Sequence, residues 1–179
     1  MVMNNKQQFE IKPIVVIDYL TTKLTDIDNE VLSNQIETYG EKSLTLDSHL
    51  FLPNRLPVDN FKIRLKETLS DAVNSNVEII DMWGNVMAPN ESVVYHHHAT
   101  LPFSGINGQG LYACVYYCRT PENCGDIIFR TSAALREYIA TEPAEEGKLI
   151  IFPAEIPHYS EKNQSNINRI SISANFVLT

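Results

Sequence analysis

Three of the chain's five histidines are consecutive, at His96, His97 and His98 in the stretch SVVYHHHATLPF. Side chains alternate between faces along an extended segment, so His96 and His98 point one way and His97 the other. Their Cα atoms then lie about 7 Å apart, from the rise per residue of a strand. Two imidazoles so placed can share a metal ion, and a third protein group must complete the site. His158, in LIIFPAEIPHYS, is the candidate: it follows an apolar run where Pro153 and Pro157 take the chain out of a sheet. The remaining histidine, His49, has no comparable setting and reads as structural or exposed. A bare H-x-H is also an ordinary pair on a half-buried strand, so it gains meaning only from what converges on it.

A second set of chemistry-bearing residues begins eleven positions after His158, in RISISANFVL. There Arg169, Ser171 and Ser173 share one face of a strand, while Ile170, Ile172 and Ala174 share the other. If the polar face lines a barrel interior, Arg169 needs an anionic partner, because an unpaired buried charge is too costly. On a solvent face it would need none.

The elements that must position these groups fall in two parts. In residues 1–76, IKPIVVIDY reads as a first strand. DIDNEVLSNQIETYG reads as a helix with Ile27, Val31, Ile36 and Tyr39 near helical spacing and Gly40 as its stop. PVDNFKIRLKETLSDAV reads as a second helix, with Phe61, Leu65, Leu69 and Ala72 on one face and Asp59 placed to cap it. In residues 77–179 the runs VEIIDMW, SVVYHH, LYACVYYC, DIIFR, KLIIFP and RISISANFVL are β-branched and aromatic, with turn signals between them. The segment SAALREYIA fits a short helix between two strands. Many short strands in a row predict a mainly β barrel or sandwich with the N-terminal helices packed outside.

Composition narrows the function classes. A chain of 179 residues is expected to form one domain. The net charge of −8 carries no Lys/Arg cluster and argues against a nucleic-acid partner. No apolar run reaches membrane-spanning length, and MVMNNKQQF lacks the apolar region of an export signal, so the expected location is cytoplasmic. Cys114, Cys118 and Cys124 show no pairing framework and are expected to be buried, reduced thiols.

Taken in order, HHH, CVYYC, CGDIIF, GKLIIFPAEIPH and NRISIS resemble the 2-oxoglutarate- and Fe(II)-dependent oxygenases, nearest the bacterial and phage branch beside the prolyl hydroxylases. The likeness covers roughly residues 77–178, and MWGNV is similar to that family's W-x-N segment ahead of the first metal histidine. It implies a double-stranded β-helix, the jelly-roll or cupin-like barrel, which agrees with the pattern of strands. It further implies that His96 and His158 are iron ligands, and that His98 is a third where most relatives carry Asp or Glu. Glu91 and Asp126 are the carboxylates that could substitute for it. By the same likeness Arg169 would bind the distal carboxylate of 2-oxoglutarate, its planar fork suiting that group. Ser171 would add a hydrogen bond, and Tyr117 and Asn85 would line the cosubstrate pocket. The insertion ATLPFSGINGQG becomes a loop near the metal, over the substrate entrance.

The activity implied is hydroxylation of a C–H bond with Fe(II), 2-oxoglutarate and O2; a peptidyl side chain such as proline is the analogous substrate. Two other readings remain at this point. A cupin-type dioxygenase with three histidines and no 2-oxoglutarate suits the neutral ligand set. A non-catalytic jelly-roll binding module suits the fold.

Overall fold

The computed structural model describes residues 18–40, 49–51, 56–98, 111–133 and 136–179. Strict alternation in the C-terminal part builds the sheets. In β9 (Arg169–Leu178), Ile170, Ile172, Ala174 and Phe176 face one side while Arg169, Ser171 and Asn175 face the other, and all seven are buried. A strand polar on one face and still covered on both is central to a layered structure, and β9 pairs antiparallel with both of its neighbours.

The other elements are β1 (Leu20–Lys23), α1 (Asn29–Gly40), β2 (His49–Phe51), α2 (Leu56–Val73) and β3 (Val77–Met87). They are followed by β4 (Leu111–Arg119), β5 (Ile127–Ala133), β6 (Arg136–Glu142), β7 (Lys148–Pro153) and β8 (His158–Ser160). The large sheet runs β1-β7-β4-β9-β3-β2, and the small one β6-β5-β8, with every pair antiparallel. This is the expected jelly-roll arrangement.

Each face of the large sheet feeds a separate core. The outer face (Tyr116, Leu149, Ile151, Ile170 and Ile172 among others) packs under the helices through Leu32, Ile36, Phe61, Leu65 and Leu69. The inner face (Ala113, Tyr117, Ile150, Phe152) meets Ile127 and Phe129 of the small sheet. Burying one such side chain contributes about 1.5–3 kcal/mol. The Tyr116 hydroxyl donates to Asn29 Oδ1 at 2.7 Å and fastens α1 to the sheet.

Several local expectations are corrected. The strand expected over IKPIVVIDY falls on residues 11–17, which lie outside the described ones, and on Asp18 and Tyr19; the first described strand is Leu20–Lys23. The first helix buries Leu32 and Ile36 and leaves Val31 exposed, because the sheet selects the face. Its cap is Asp28, whose Oδ1 accepts the Val31 N–H at 3.1 Å, worth about 1 kcal/mol. In α2 the buried series is Val58, Phe61, Leu65 and Leu69, and Ala72 is exposed. Asp59 sits in the first turn of α2, not before it. SAALREYIA is no helix: it contributes to the β5–β6 hairpin, where Ser132 pairs with Glu137 and Arg130 Nε donates to Glu137 Oε1 at 2.6 Å.

Cys114, Cys118 and Cys124 are free and buried. Burial pushes the Cys114 thiol up to about 12 and raises the other two, so all three are held as inert thiols.

Candidate metal centre and cosubstrate pocket

SVVYHH does not form the predicted strand. The segment runs beside β8 and makes one isolated bridge, in which His96 N–H donates to His158 O at 3.0 Å and His158 N–H to His96 O at 2.9 Å. Farther along, His98 N–H donates to Ala154 O at 2.8 Å. At the other end, the Ser160 hydroxyl accepts from Val93 N at 2.8 Å and so interrupts a regular ladder. These bonds keep the chain extended, and alternation survives. His96 and His98 are half-buried, whereas His97 is exposed.

His96, His98 and His158 converge, with one ring nitrogen of each within 4.8 Å of the others. The second nitrogen of every ring is already committed. Nδ1 of His96 meets Val94 O at 2.7 Å, Nδ1 of His158 meets Ile156 O at 3.0 Å, and Nδ1 of His98 meets Asn175 Oδ1 at 2.7 Å. Backbone carbonyls only accept, so His96 and His158 carry the proton on Nδ1 and present the Nε2 lone pair; His98 takes the same tautomer where Asn175 offers it Oδ1. Nε2 of His96 and Nε2 of His98 stand 3.1 Å apart. Two lone pairs at that distance repel, and a cation bound by both turns the contact into two ligand bonds. The donor set therefore fits a metal that accepts imidazole.

His158 is 7% exposed, between Phe129 and Phe152. Burial, reinforced by the neighbouring histidines, drops its pKa to about 3. The sign of the linkage follows. The unfolded chain protonates this ring below about pH 6.5 while the folded one does not, so stability is full above that pH and falls toward pH 3. Metal-free protein is expected to lose about 2 kcal/mol between pH 7 and pH 5 through His158 alone. Urea unfolding of the parent beside His158→Gln checks this, since the variant should lack that part of the slope.

Arg169 projects from β9 into the same cavity and is 4% exposed. Its Nη1 donates to Gly125 O at 2.8 Å, and its guanidinium carbon lies 5.6 Å from the centre of the Tyr117 ring. Nε is buried with no hydrogen-bond partner. Among the described residues no carboxylate forms an ion pair with it. A buried guanidinium so supplied is short of an anion. Ser171 is its neighbour on that face, in register with Asn85 on β3 and Tyr117 on β4. Asn85 Nδ2 donates to Ser173 Oγ at 3.0 Å. Burial pushes the Tyr117 phenol up to about 12 although Arg169 opposes it, so the ring is a neutral wall.

One cavity thus gathers all seven predicted positions: His96, His98, His158, Arg169, Ser171, Tyr117 and Asn85. The two substitute carboxylates are elsewhere. Glu91 is exposed and accepts from Ala88 N at 2.9 Å; Asp126 accepts from Ala144 N at 3.0 Å. Glu91 is held by the turn it closes, and Asp126 by a tie to the segment that follows β6. The expected entrance loop, residues 99–110, lies outside the described residues, as does the side chain of His49.

Three supporting residues were not anticipated. Asn175 continues the period-two series of Arg169, Ser171 and Ser173, which is the signal that would have found it. Asn163, fully buried, donates to Met87 O at 3.0 Å and Ile167 O at 2.9 Å, and so shapes the polar turn between His158 and Arg169. Gly125 carries the carbonyl that anchors Arg169; its φ is +82°, and a Cβ there would collide with the backbone oxygen of Glu161. Gly125→Ala is expected to cost about 1–3 kcal/mol or more, read from the unfolding midpoint.

Comparison with known proteins agrees with this geometry. Residues 81–175 match a family model described as "Putative 2OG-Fe(II) oxygenase". A comparison of the sequence with curated proteins gives no match. Among solved structures, the non-heme alpha ketoglutarate dependent carbocyclase SnoK from nogalamycin biosynthesis aligns with a TM-score of 0.70 at 11% identity, over 90% of this chain and 79% of that one. The viral collagen prolyl hydroxylase of Paramecium Bursaria Chlorella virus-1 aligns at 0.64 and 17% identity, over 97% and 98% of the two chains. A prolyl-4-hydroxylase from Pseudomonas putida aligns at 0.62 and 11% identity, over 91% and 94%. At such identities these structures speak for the double-stranded β-helix fold alone. The family match spans more than half of the sequence, and the chain belongs to the 2-oxoglutarate- and Fe(II)-dependent oxygenases.

Proposed function

We propose that His96, His98 and His158 bind the Fe(II) through Nε2, that Arg169 and Ser171 bind the distal carboxylate of 2-oxoglutarate, and that the reaction hydroxylates a peptidyl side chain. The observation that carries this reading is the pairing of three inward Nε2 lone pairs with a buried, anion-deficient arginine in one cavity. Bound Fe(II) and 2-oxoglutarate supply an oxidant from O2, with release of CO2 and succinate. The chain's own residues position and exclude. Ser171 offers a hydroxyl beside the guanidinium, while Tyr117 and Asn85 wall the pocket on either side of it. Val115, Ile127 and Phe152 form the apolar lining that keeps water from the reacting groups.

A ligand set of three neutral imidazoles leaves the positive charge of the metal to be balanced by the cosubstrate. The same set suits a 2-oxoglutarate-independent dioxygenase, but a buried Arg169 without an anion would then be a cost with no return. A peptidyl substrate is supported by the near end-to-end alignment with two prolyl hydroxylases. A net charge of −8 without a Lys/Arg cluster supports an enzyme without a nucleic-acid partner. Among the described residues no helix is long and apolar enough to cross a membrane.

The test is anaerobic loading with Fe(II) followed by titration with 2-oxoglutarate. A visible metal-to-ligand charge-transfer band that saturates at one equivalent is expected. Fe(II) binding without the band would overturn the cosubstrate assignment. A panel of proline-containing peptides, assayed for succinate formation above the peptide-free rate, then tests the substrate class.

A further inference from the structure

We propose that Asn175 is a positioning residue of the metal centre: its side-chain carbonyl keeps the proton of His98 on Nδ1 and so turns the Nε2 lone pair toward His96 and His158. This rests on the three-histidine reading above. Asn175 Oδ1 lies 2.7 Å from His98 Nδ1, and Asn175 is only 2% exposed, deeper than the histidine it holds. Its backbone N–H donates to Asp81 Oδ1 at 3.1 Å. Its strand is paired there on both sides, with Asp81 of β3 and Ala113 of β4 as register partners. The acceptor is therefore fixed by the centre of the sheet, not by a loop.

His98 needs such a partner for a specific chemical reason. His96 and His158 each donate Nδ1–H to a carbonyl two residues earlier, so their own local backbone selects the tautomer. His98 has its acceptor 77 residues away in sequence. A carboxylate at position 98 would need none, since either oxygen can ligate. An imidazole has two neutral tautomers, and only the one protonated at Nδ1 offers Nε2 to a metal. Were the Asn175 amide reversed, its NH2 would donate to Nδ1 and the proton would sit on Nε2, facing Nε2 of His96 at 3.1 Å as a hydrogen bond. His98 could not then ligate. The third histidine and Asn175 thus form one functional unit.

Co(II) is the probe, because a paramagnetic ion moves the N–H protons of ligating imidazoles far from all others in a proton spectrum. The Co(II)-loaded parent should show three such resonances that vanish in D2O. Asn175→Ala should lose one of them to solvent exchange, leave two in place, and bind Co(II) about 10–100-fold more weakly. Asn175→Asp retains an oxygen acceptor and should keep the third resonance and the affinity. In a His98→Asp background, Asn175→Ala should change Co(II) affinity by no more than about twofold, the error for independent sites. An Asn175→Ala protein with three resonances and parental affinity overturns the proposal. So does an equal loss in both backgrounds, which would mark a purely structural role. Independently of any variant, nitrogen-15 spectra of the metal-free parent should show His98 protonated at Nδ1; protonation at Nε2 overturns it too. Failure of the underlying reading looks different: the Co(II)-loaded parent itself would show only two resonances.

Discussion

Arg169→Ala is expected to weaken 2-oxoglutarate binding by about ten- to more than a hundredfold while leaving Fe(II) affinity nearly unchanged. A hydrogen bond to a charged group contributes roughly 1.5–3 kcal/mol, and the guanidinium is placed to make two of them. It has Nη1 anchored on Gly125 O at 2.8 Å and Nε buried without a partner. The anchored fork is aimed before the ligand arrives, so little conformational freedom is lost on binding. Arg169→Lys should recover only part of the loss, because one ammonium cannot reproduce both contacts. Titration of the charge-transfer band measures the cosubstrate, and a metal-chelator competition measures the iron. An Arg169→Ala protein that binds 2-oxoglutarate like the parent would remove the main support for the pocket assignment and favour the three-histidine dioxygenase that uses no cosubstrate.

The second large effect is expected at His158, where His158→Ala should lower Fe(II) affinity on the order of a hundred- to a thousandfold. Structural zinc sites gain roughly 10–16 kcal/mol from four ligands, which assigns about 3–4 kcal/mol to each. His158 is the most buried of the three histidines and packs at 4.8 Å from the Phe152 ring and 4.3 Å from the His96 ring. Its loss should therefore also loosen the His96 ring, which packs against it. The side-chain effect can be separated from the bridge, because alanine keeps both backbone bonds. His97→Ala is the control: an exposed ring outside the cluster, whose removal should leave metal affinity near the parental value. If His97→Ala and His158→Ala fall equally, the assignment of faces is wrong.

The site was more legible in the sequence than several of the elements around it. Arg169, Ser171 and Ser173 alternate with Ile170, Ile172 and Ala174, and a period of two can only mean opposite faces of a strand. The same rule separated His97 from His96 and His98 although their segment forms no ladder, because one bridge to His158 suffices to keep it extended. The β5–β6 hairpin was hidden for a converse reason. Ala-Ala-Leu-Arg-Glu favours a helix locally, and Tyr138 and Ile139 are both exposed, so no alternation in hydrophobicity marks the strand. What decides is pairing with β5, which no local pattern records. In α1, Val31 and Leu32 are equally apolar and adjacent, and only the sheet beneath decides which is buried. Asn175 shares the period-two face of Arg169 and Ser171, but no local pattern names its partner, a ring 77 positions away.

The position of β9 bears on how the protein is made. β9 lies between β4 and β3 at the centre of the large sheet, and it carries Arg169, Ser171 and Asn175. β3 ends at Met87 and β9 begins at Arg169, so the ribosome must add about 80 residues after β3 before its partner exists. At roughly 5–20 residues per second, that interval lasts several seconds. From its own synthesis until β9 arrives, each of β3 and β4 holds an open edge, the kind of surface on which nascent chains pair wrongly with one another. The arginine proposed to hold the cosubstrate and the asparagine proposed to support the third histidine thus enter together with the strand that closes those edges. A nascent chain therefore completes the proposed cosubstrate pocket only as those edges are sealed.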